Sequence, residues 1–334
     1  MKLYIKKNIS IDEKKFQPNS FFYQEKWINL IEKSFNYKRF YIVSNVKENK
    51  FTIPFLESIF FTKKYLISLP FSFDNNLQHK IEKYLITNSS YLKKITKKYN
   101  DIIIKSRFID FQTNLNLKTK YYLYLLELND NYKNKFSKNI TRYSNSKNIS
   151  FKIIKDFKTK EFNEFYKNYI LNSKNLKTFF YPKFFLINMF NDMPDNFILI
   201  NAYSENKYLG GQIILIDNKN SEAIYFISSK SLIGMKKSVD KILLCKVMEI
   251  CYTKKIKIFN FGKANIKNKG LNEFKNKFGA TRFELNYYSI NQLNYNILDQ
   301  NSFLKDLVKC IIKFLPTKIY IFFNNRIFKY LSMY

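Results

Sequence analysis

The sequence predicts a mixed α/β fold of two similarly ordered halves followed by a helical tail. Three observations lead there. Short runs alternate apolar and polar residues as strands do, longer runs repeat apolar residues at helical spacing, and the two kinds interleave in a comparable order twice along the chain. A length of 334 residues suits two domains, and 46% hydrophobic residues supply a sizeable core without staples. The expected division is 1–128, 129–290 and a basic helical tail over 291–334.

In the first half, Leu3–Ile5 reads as an edge strand and Phe22–Phe35 as a helix whose Trp27, Leu30, Ile31 and Phe35 share one face. Phe40–Val46, Phe51–Ile59 and Leu66–Leu69 read as strands. Leu77–Thr96 reads as a helix, and Ile102–Ile104 and Tyr121–Leu128 complete a sheet.

In the second half, Asp130–Asn145 is expected to form one basic helix with Tyr132, Phe136, Ile140 and Tyr143 inward, followed by a strand over Ile149–Ile154. Helices follow over Glu161–Leu171 and Pro182–Phe190. Phe197–Tyr203, Tyr208–Asp217 and Ala223–Ser228 form an antiparallel meander. Ser238–Thr253 is a long helix with Val239, Leu243, Val247 and Ile250 inward, and Ile256–Phe261 returns as a strand. The tail from Ser302 to Tyr334 is amphipathic and basic, broken at Pro316. Two accounts of it stand: a hairpin packed on the first domain, or a helix lying on an anionic membrane surface.

The formal charge of +32 points to an acidic partner, such as nucleic acid or anionic lipid, or to an AT-rich coding bias expressed on solvated faces. Only five of the 58 basic residues are arginine, whose planar fork suits phosphate better than lysine, so general attraction to anions is favoured over base reading. Cys245, Cys251 and Cys310 are widely spaced and suggest neither disulfides nor a zinc knuckle; Cys245 and Cys251 read as core. His79 is the single histidine, so neither a histidine metal site nor a histidine-centred triad is expected. No apolar leader and no run near the roughly 18 apolar residues of a membrane span is visible, which leads to the expectation of a cytoplasmic protein.

Phe259–Ala280 carries the most chemical information. A strand runs into Gly262, a polar loop with Lys263, Lys267 and Lys269 follows, and a short helix bearing Lys275 is expected between Gly270 and Gly279. Backbone N–H groups and a helix terminus surrounded by lysines suit an anionic ligand.

The wording of the same stretch resembles the C-terminal signature of the Fem-type acyltransferases, members of the GNAT superfamily. Phe261-Gly262-Lys263-Ala264 resembles an F-G-[RK]-[SA] motif, and Phe274-Lys275 through Phe278-Gly279 an F-K-x-x-[WF]-G motif. Ser20–Phe35, Phe51–Ser58, Leu66–Asn76, Lys135–Ile154, Tyr181–Phe190 and the Gly210-Gly211 strand resemble further family segments in the right order, so the likeness spans Phe16 to Tyr288.

That resemblance implies two fused GNAT-like domains with an acceptor cleft. It also implies transfer of an acyl or aminoacyl group to an amine of a cell-envelope precursor, a peptidoglycan peptide or a surface saccharide, lipid-linked or not. It places Lys275 at the transferring carbonyl or the donor phosphate and Phe274 beside the donor base or ribose. Arg142 falls on the arginine-rich helix that lines the acceptor site, and Tyr181 and Tyr225 take family-like positions as proton donors or sugar-stacking rings. Gly262, Lys263 and Lys236 complete an anion-holding set. Where CoA-dependent GNAT enzymes have a glycine-rich pyrophosphate loop, Ser231–Lys236 keeps only Gly234, which favours aminoacyl-tRNA over acyl-CoA as donor. No bound cofactor is expected. Two other readings remain open: an acetyl-CoA-dependent N-acetyltransferase of amino sugars, and a non-catalytic RNA- or membrane-binding module.

Overall fold

The computed structural model describes residues 3–8, 21–45, 50–60, 63–68, 71, 84, 85, 87–106, 116–144, 148–289 and 310–331. His79 and the start of the helix expected over 77–96 lie outside the described residues. The chain divides into two compact units: Met1–Tyr122 with Glu284–Ser302 and Lys329–Tyr334, and Leu123–Phe283 with Phe303–Phe328. This differs from the three consecutive segments expected. A strand absent from the sequence reading, β12 (Thr281–Ser289), carries the chain back to the first unit, where Asn286–Ser289 pair with Ile103–Ser106.

In the first unit, β1 (Leu3–Lys6), β2 (Lys38–Ser44), β3 (Phe51–Phe60), β4 (Lys63–Ile67) and β5 (Asp101–Ser106) lie in that order, with β12 beside β5. The pairings β1–β2, β2–β3 and β3–β4 are antiparallel, and β4–β5 is parallel. Helix α1 (Glu25–Phe35) buries Trp27, Ile28, Leu30, Ile31 and Phe35, the stripe its spacing demands. Trp27 packs its ring 5.4 Å from Phe21 and 5.5 Å from Phe22. Helix α2 (Ser89–Ile95) precedes β5.

In the second unit, β6 (Asn116–Glu127) enters, and the strand order runs β6, β11 (Ile258–Asn265), β10 (Glu222–Lys230), β9 (Lys207–Asp217), β8 (Phe197–Ser204), β7 (Ser150–Ile154). From β7 to β10 neighbours are antiparallel, whereas β10 and β11 are parallel. Helix α4 (Lys160–Asn175) and helix α7 (Val239–Thr253) cover opposite faces. Successive strand residues face opposite ways, and at Gly210 an added Cβ would meet Val239 Cγ1 at 2.8 Å, while at Gly211 it would meet the Phe165 ring at 2.8 Å. The Gly210-Gly211 pair therefore lets two helices close on one strand. Cys245 and Cys251 are buried on α7 as expected, and burial pushes each thiol up to about 12.

The single helix expected over Asp130–Asn145 is broken. A 3-10 turn (Tyr132–Lys135) gives way to extended backbone at Phe136, and α3 (Lys138–Ser144) starts afresh. Tyr132, Phe136 and Ile140 are nonetheless buried. The cause is tertiary: Ser137 N–H donates to Lys277 O at 2.9 Å, and Phe136 packs edge-on against Phe278. Helix α5 (Lys183–Asp192) follows Pro182.

In the tail, helix α9 (Thr317–Ile327) belongs to the second unit. Asn324, fully buried, accepts from Phe180 N at 3.0 Å and donates to Phe180 O at 2.8 Å. Tyr320 donates its hydroxyl to Thr178 O and meets the Phe180 ring at 5.2 Å. Among the described residues no helix is long and apolar enough to cross a membrane.

Candidate functional site

Strand β11 sets the site. Its parallel pairing with β10 covers Glu222↔Ile258, Ala223↔Phe259 and Ile224↔Asn260 and stops there, although β10 continues to Lys230 and β11 to Asn265. Asn260 closes the paired stretch: its Nδ2 donates to Glu222 Oε1 at 2.6 Å, and its Oδ1 accepts from Gly262 N at 2.8 Å. Gly262 then turns the strand with φ +71°, a conformation that side-chain-bearing residues avoid. The sequence reading ended the strand at Gly262 and placed Lys263 in a loop. The structure instead keeps both inside β11, since the positive φ bends the strand without ending it.

After a short turn, helix α8 (Lys269–Asn276) starts at Asn268, whose Oδ1 accepts from Leu271 N at 3.1 Å. One backbone donor that was expected to face an anion is thus satisfied internally. The helix is followed by Gly279, also at φ +71°, pressed against Lys135.

Lys275 is the main finding. A lysine on a short surface helix is ordinarily solvated, yet Lys275 is 3% exposed. Its Nζ donates to Gly262 O at 2.7 Å and to Lys263 O at 2.9 Å, and it lies 5.4 Å from the centre of the Tyr124 ring. Burial pulls its amine down to about 7, and the Lys263 amine, on a partly exposed side chain, down to about 8. One turn back, Asn272 donates to Asn265 O at 3.0 Å and accepts from the Tyr124 hydroxyl at 3.0 Å. Asn272 and Lys275, three apart, form a buried polar face that ties α8 to the far end of β11. The sequence reading missed Asn272, Asn260 and Tyr124. The available signal was the adjacent placement of two polar residues beside the apolar 271, 274, 278 stripe. Phe274 is half-buried and packs on Phe278, which is fully buried.

Tyr181 and Tyr225 lie elsewhere in the same unit, Tyr225 on β10 and Tyr181 just ahead of α5. Strand β10 has an irregularity between Tyr225 and Ile227, which makes Phe226 the extra residue. The Tyr181 ring lies 4.9 Å from Phe226, stacks on Phe185 and meets Phe328 at 5.1 Å. Burial holds the Tyr181 phenol well above its ordinary range and pushes Tyr225 up to about 12, so both stay protonated at neutral pH.

Arg142 and Lys236 are not drawn into either group by any described contact. Arg142 is exposed on α3 and donates to Asn139 Oδ1 at 3.2 Å on its own helix. Lys236 is exposed on α6 (Leu232–Lys236). The segment read as a degraded pyrophosphate loop is that helix. Ser231 Oγ caps it by accepting from Gly234 N at 3.1 Å, and a Cβ on Gly234 would lie 1.9 Å from Leu209 O. Gly234 is there for packing on β9, not for an open anion cradle. Asp240, at the start of α7, pairs with Lys230 at 3.3 Å.

No family model matches this chain, and no curated protein matches it. Solved structures do. FemX shares 12% identity with a TM-score of 0.63, over 90% of this chain and 100% of that one. A C-terminal domain from Agrobacterium fabrum, named as that of a lysylphosphatidylglycerol synthetase, shares 12% identity with a TM-score of 0.54, over 78% and 86%. L-PGS from Bacillus licheniformis shares 12% identity with a TM-score of 0.51, over 87% and 97%. At these identities the likeness is one of fold, and it shows the α/β architecture of FemX that the sequence segments led us to expect.

Proposed function

We propose that this chain transfers an acyl or aminoacyl group to an amine of a cell-envelope precursor. The observation that carries the reading is the buried Lys275 amine, fixed on two carbonyls of β11 just beyond the point where β10 and β11 part. The fold supports it: FemX has the same architecture, and one structure of that fold bears the name of a lysylphosphatidylglycerol synthetase.

Parting of two parallel strands leaves β10 backbone groups from Tyr225 onward without their β11 partners, a slot for an extended donor arm. The amine nitrogen of the acceptor attacks the donor carbonyl carbon. A C–N bond forms, the donor's ester or thioester bond breaks, and the amine proton leaves to water or to the departing oxygen or sulfur. Two of the three Lys275 N–H groups are committed to carbonyls, which leaves one for the oxygen that gains charge. Phe274 offers a half-buried face to the donor's terminal base. Lys263 and the exposed Arg142 and Lys236 attract phosphate or carboxylate, Tyr225 sits where the pairing of β10 with β11 has ended, and Tyr181 packs on its neighbour Phe226.

We favour aminoacyl-tRNA over acyl-CoA, since Ser231–Lys236 is a capped helix and not an open glycine loop. The test offers labelled aminoacyl-tRNA pools and labelled acetyl-CoA, separately, with muropeptide and amino-sugar acceptors. Label moving from tRNA to acceptor supports the reading. Label moving only from acetyl-CoA makes the chain an N-acetyltransferase, and salt-sensitive RNA binding without turnover makes it a binding module.

A further inference from the structure

We propose that the tail helix docks this protein on an anionic lipid bilayer, an inference that stands apart from the transfer reaction. Helix α9 is pinned by one stripe: Tyr320, Asn324 and Phe328 are 1%, 0% and 6% exposed. On a helix turning about 100° per residue, the exposed remainder should be largely polar. It is mixed, with cations and large apolar side chains side by side. Ile319, Phe322 and Phe323 are 43%, 56% and 45% exposed, and just upstream Ile311 and Phe314 are 49% and 73% exposed.

The charges interleaved with these rings are all positive. Residues 310–331 hold Lys313, Lys318, Arg326 and Lys329 and no acidic residue. Arg326 lies 5.0 Å from the Phe322 ring centre and Lys313 5.3 Å from that of Phe314. Aromatic rings flanked by cations match the boundary between acyl chains and anionic headgroups, where rings bury and cations reach phosphate.

The same charges argue against other occupants. A second copy would place this cation-only face against itself, in a chain already carrying +32. The hydrogen bonds of Asn324 and Tyr320 hold the helix rigidly, so its outer face is presented without folding on binding.

The experiment is flotation of the full chain with vesicles of phosphatidylcholine alone or mixed with phosphatidylglycerol, beside its sedimentation velocity without lipid. We expect binding to the mixed vesicles and little to the neutral ones. Phe322→Ser with Phe323→Ser, which keeps the net charge, and separately Lys318→Gln with Arg326→Gln should each lower partitioning at least about tenfold. All four side chains are exposed, and unaltered thermal unfolding certifies each variant. Should the aromatic pair fail that check, the charge pair alone decides. Absence of wild-type flotation, equal flotation of the folded variants, or a lipid-free dimer that the aromatic pair converts to monomer would each overturn the proposal.

Discussion

The side-chain amine of Lys275 donates to the main-chain carbonyl of Gly262 at 2.7 Å, across 13 residues of chain. That bond joins a helix to a strand through a group that would otherwise be in water, and it ties protonation of one lysine to the geometry of the strand.

The first consequence is a pH dependence of stability. The Lys275 amine is near 7 in the folded protein against 10.5 for a free side chain. Between those values the unfolded chain binds more protons, so this group makes stability rise with pH, by at most about 1.4 kcal/mol per pH unit. Below 7 both states are protonated and its slope vanishes. Denaturant unfolding from pH 6 to 9 should show Lys275→Met with a shallower rise than wild type; identical slopes would contradict the burial.

The two left-handed glycines should separate stability from activity. Gly262→Ala strains one backbone position, at about 1–2 kcal/mol, and moves a carbonyl that holds Lys275. Gly279→Ala adds a clash of its Cβ with Lys135 O at 2.5 Å, for a total of about 3 kcal/mol. Unfolding titrations should rank Gly279→Ala as the less stable, while transfer assays on the folded fraction should rank Gly262→Ala as the less active.

Asn324 anchors the tail. Asn324→Ala leaves the Phe180 N–H and C=O without their partner in a buried place, a loss of about 2–4 kcal/mol. A fall in the unfolding midpoint with an unchanged m-value checks it.

Arg142 is exposed and bonded only within its own helix among the described contacts. Arg142→Ala should leave stability within about 0.5 kcal/mol. If it attracts the acceptor's anion, steady-state kinetics should show a raised acceptor KM with kcat kept.

The meander β8–β10 was legible because apolar runs are divided by turn residues at Glu205-Asn206 and Asn218–Ser221, and α1 because Trp27, Leu30, Ile31 and Phe35 keep strict spacing. Strand β12 was missed since its first four residues, Thr281 to Glu284, are exposed and mostly polar, and only its second half is buried. The break at Phe136–Ser137 depends on Lys277, distant in sequence, and local propensity carries no trace of it. Lys275 was singled out by its motif, but its burial was not legible: a lysine beside lysines reads as solvated until the carbonyls of Gly262 and Lys263 are seen around it.

The central claim is that the Lys275 ammonium meets the transferring carbonyl. Single-turnover transfer from charged tRNA to a muropeptide, comparing wild type with a folded Lys275→Met, tests it most directly. The account predicts a rate at least about 100-fold lower with donor binding retained within a few-fold; an undiminished rate would contradict it.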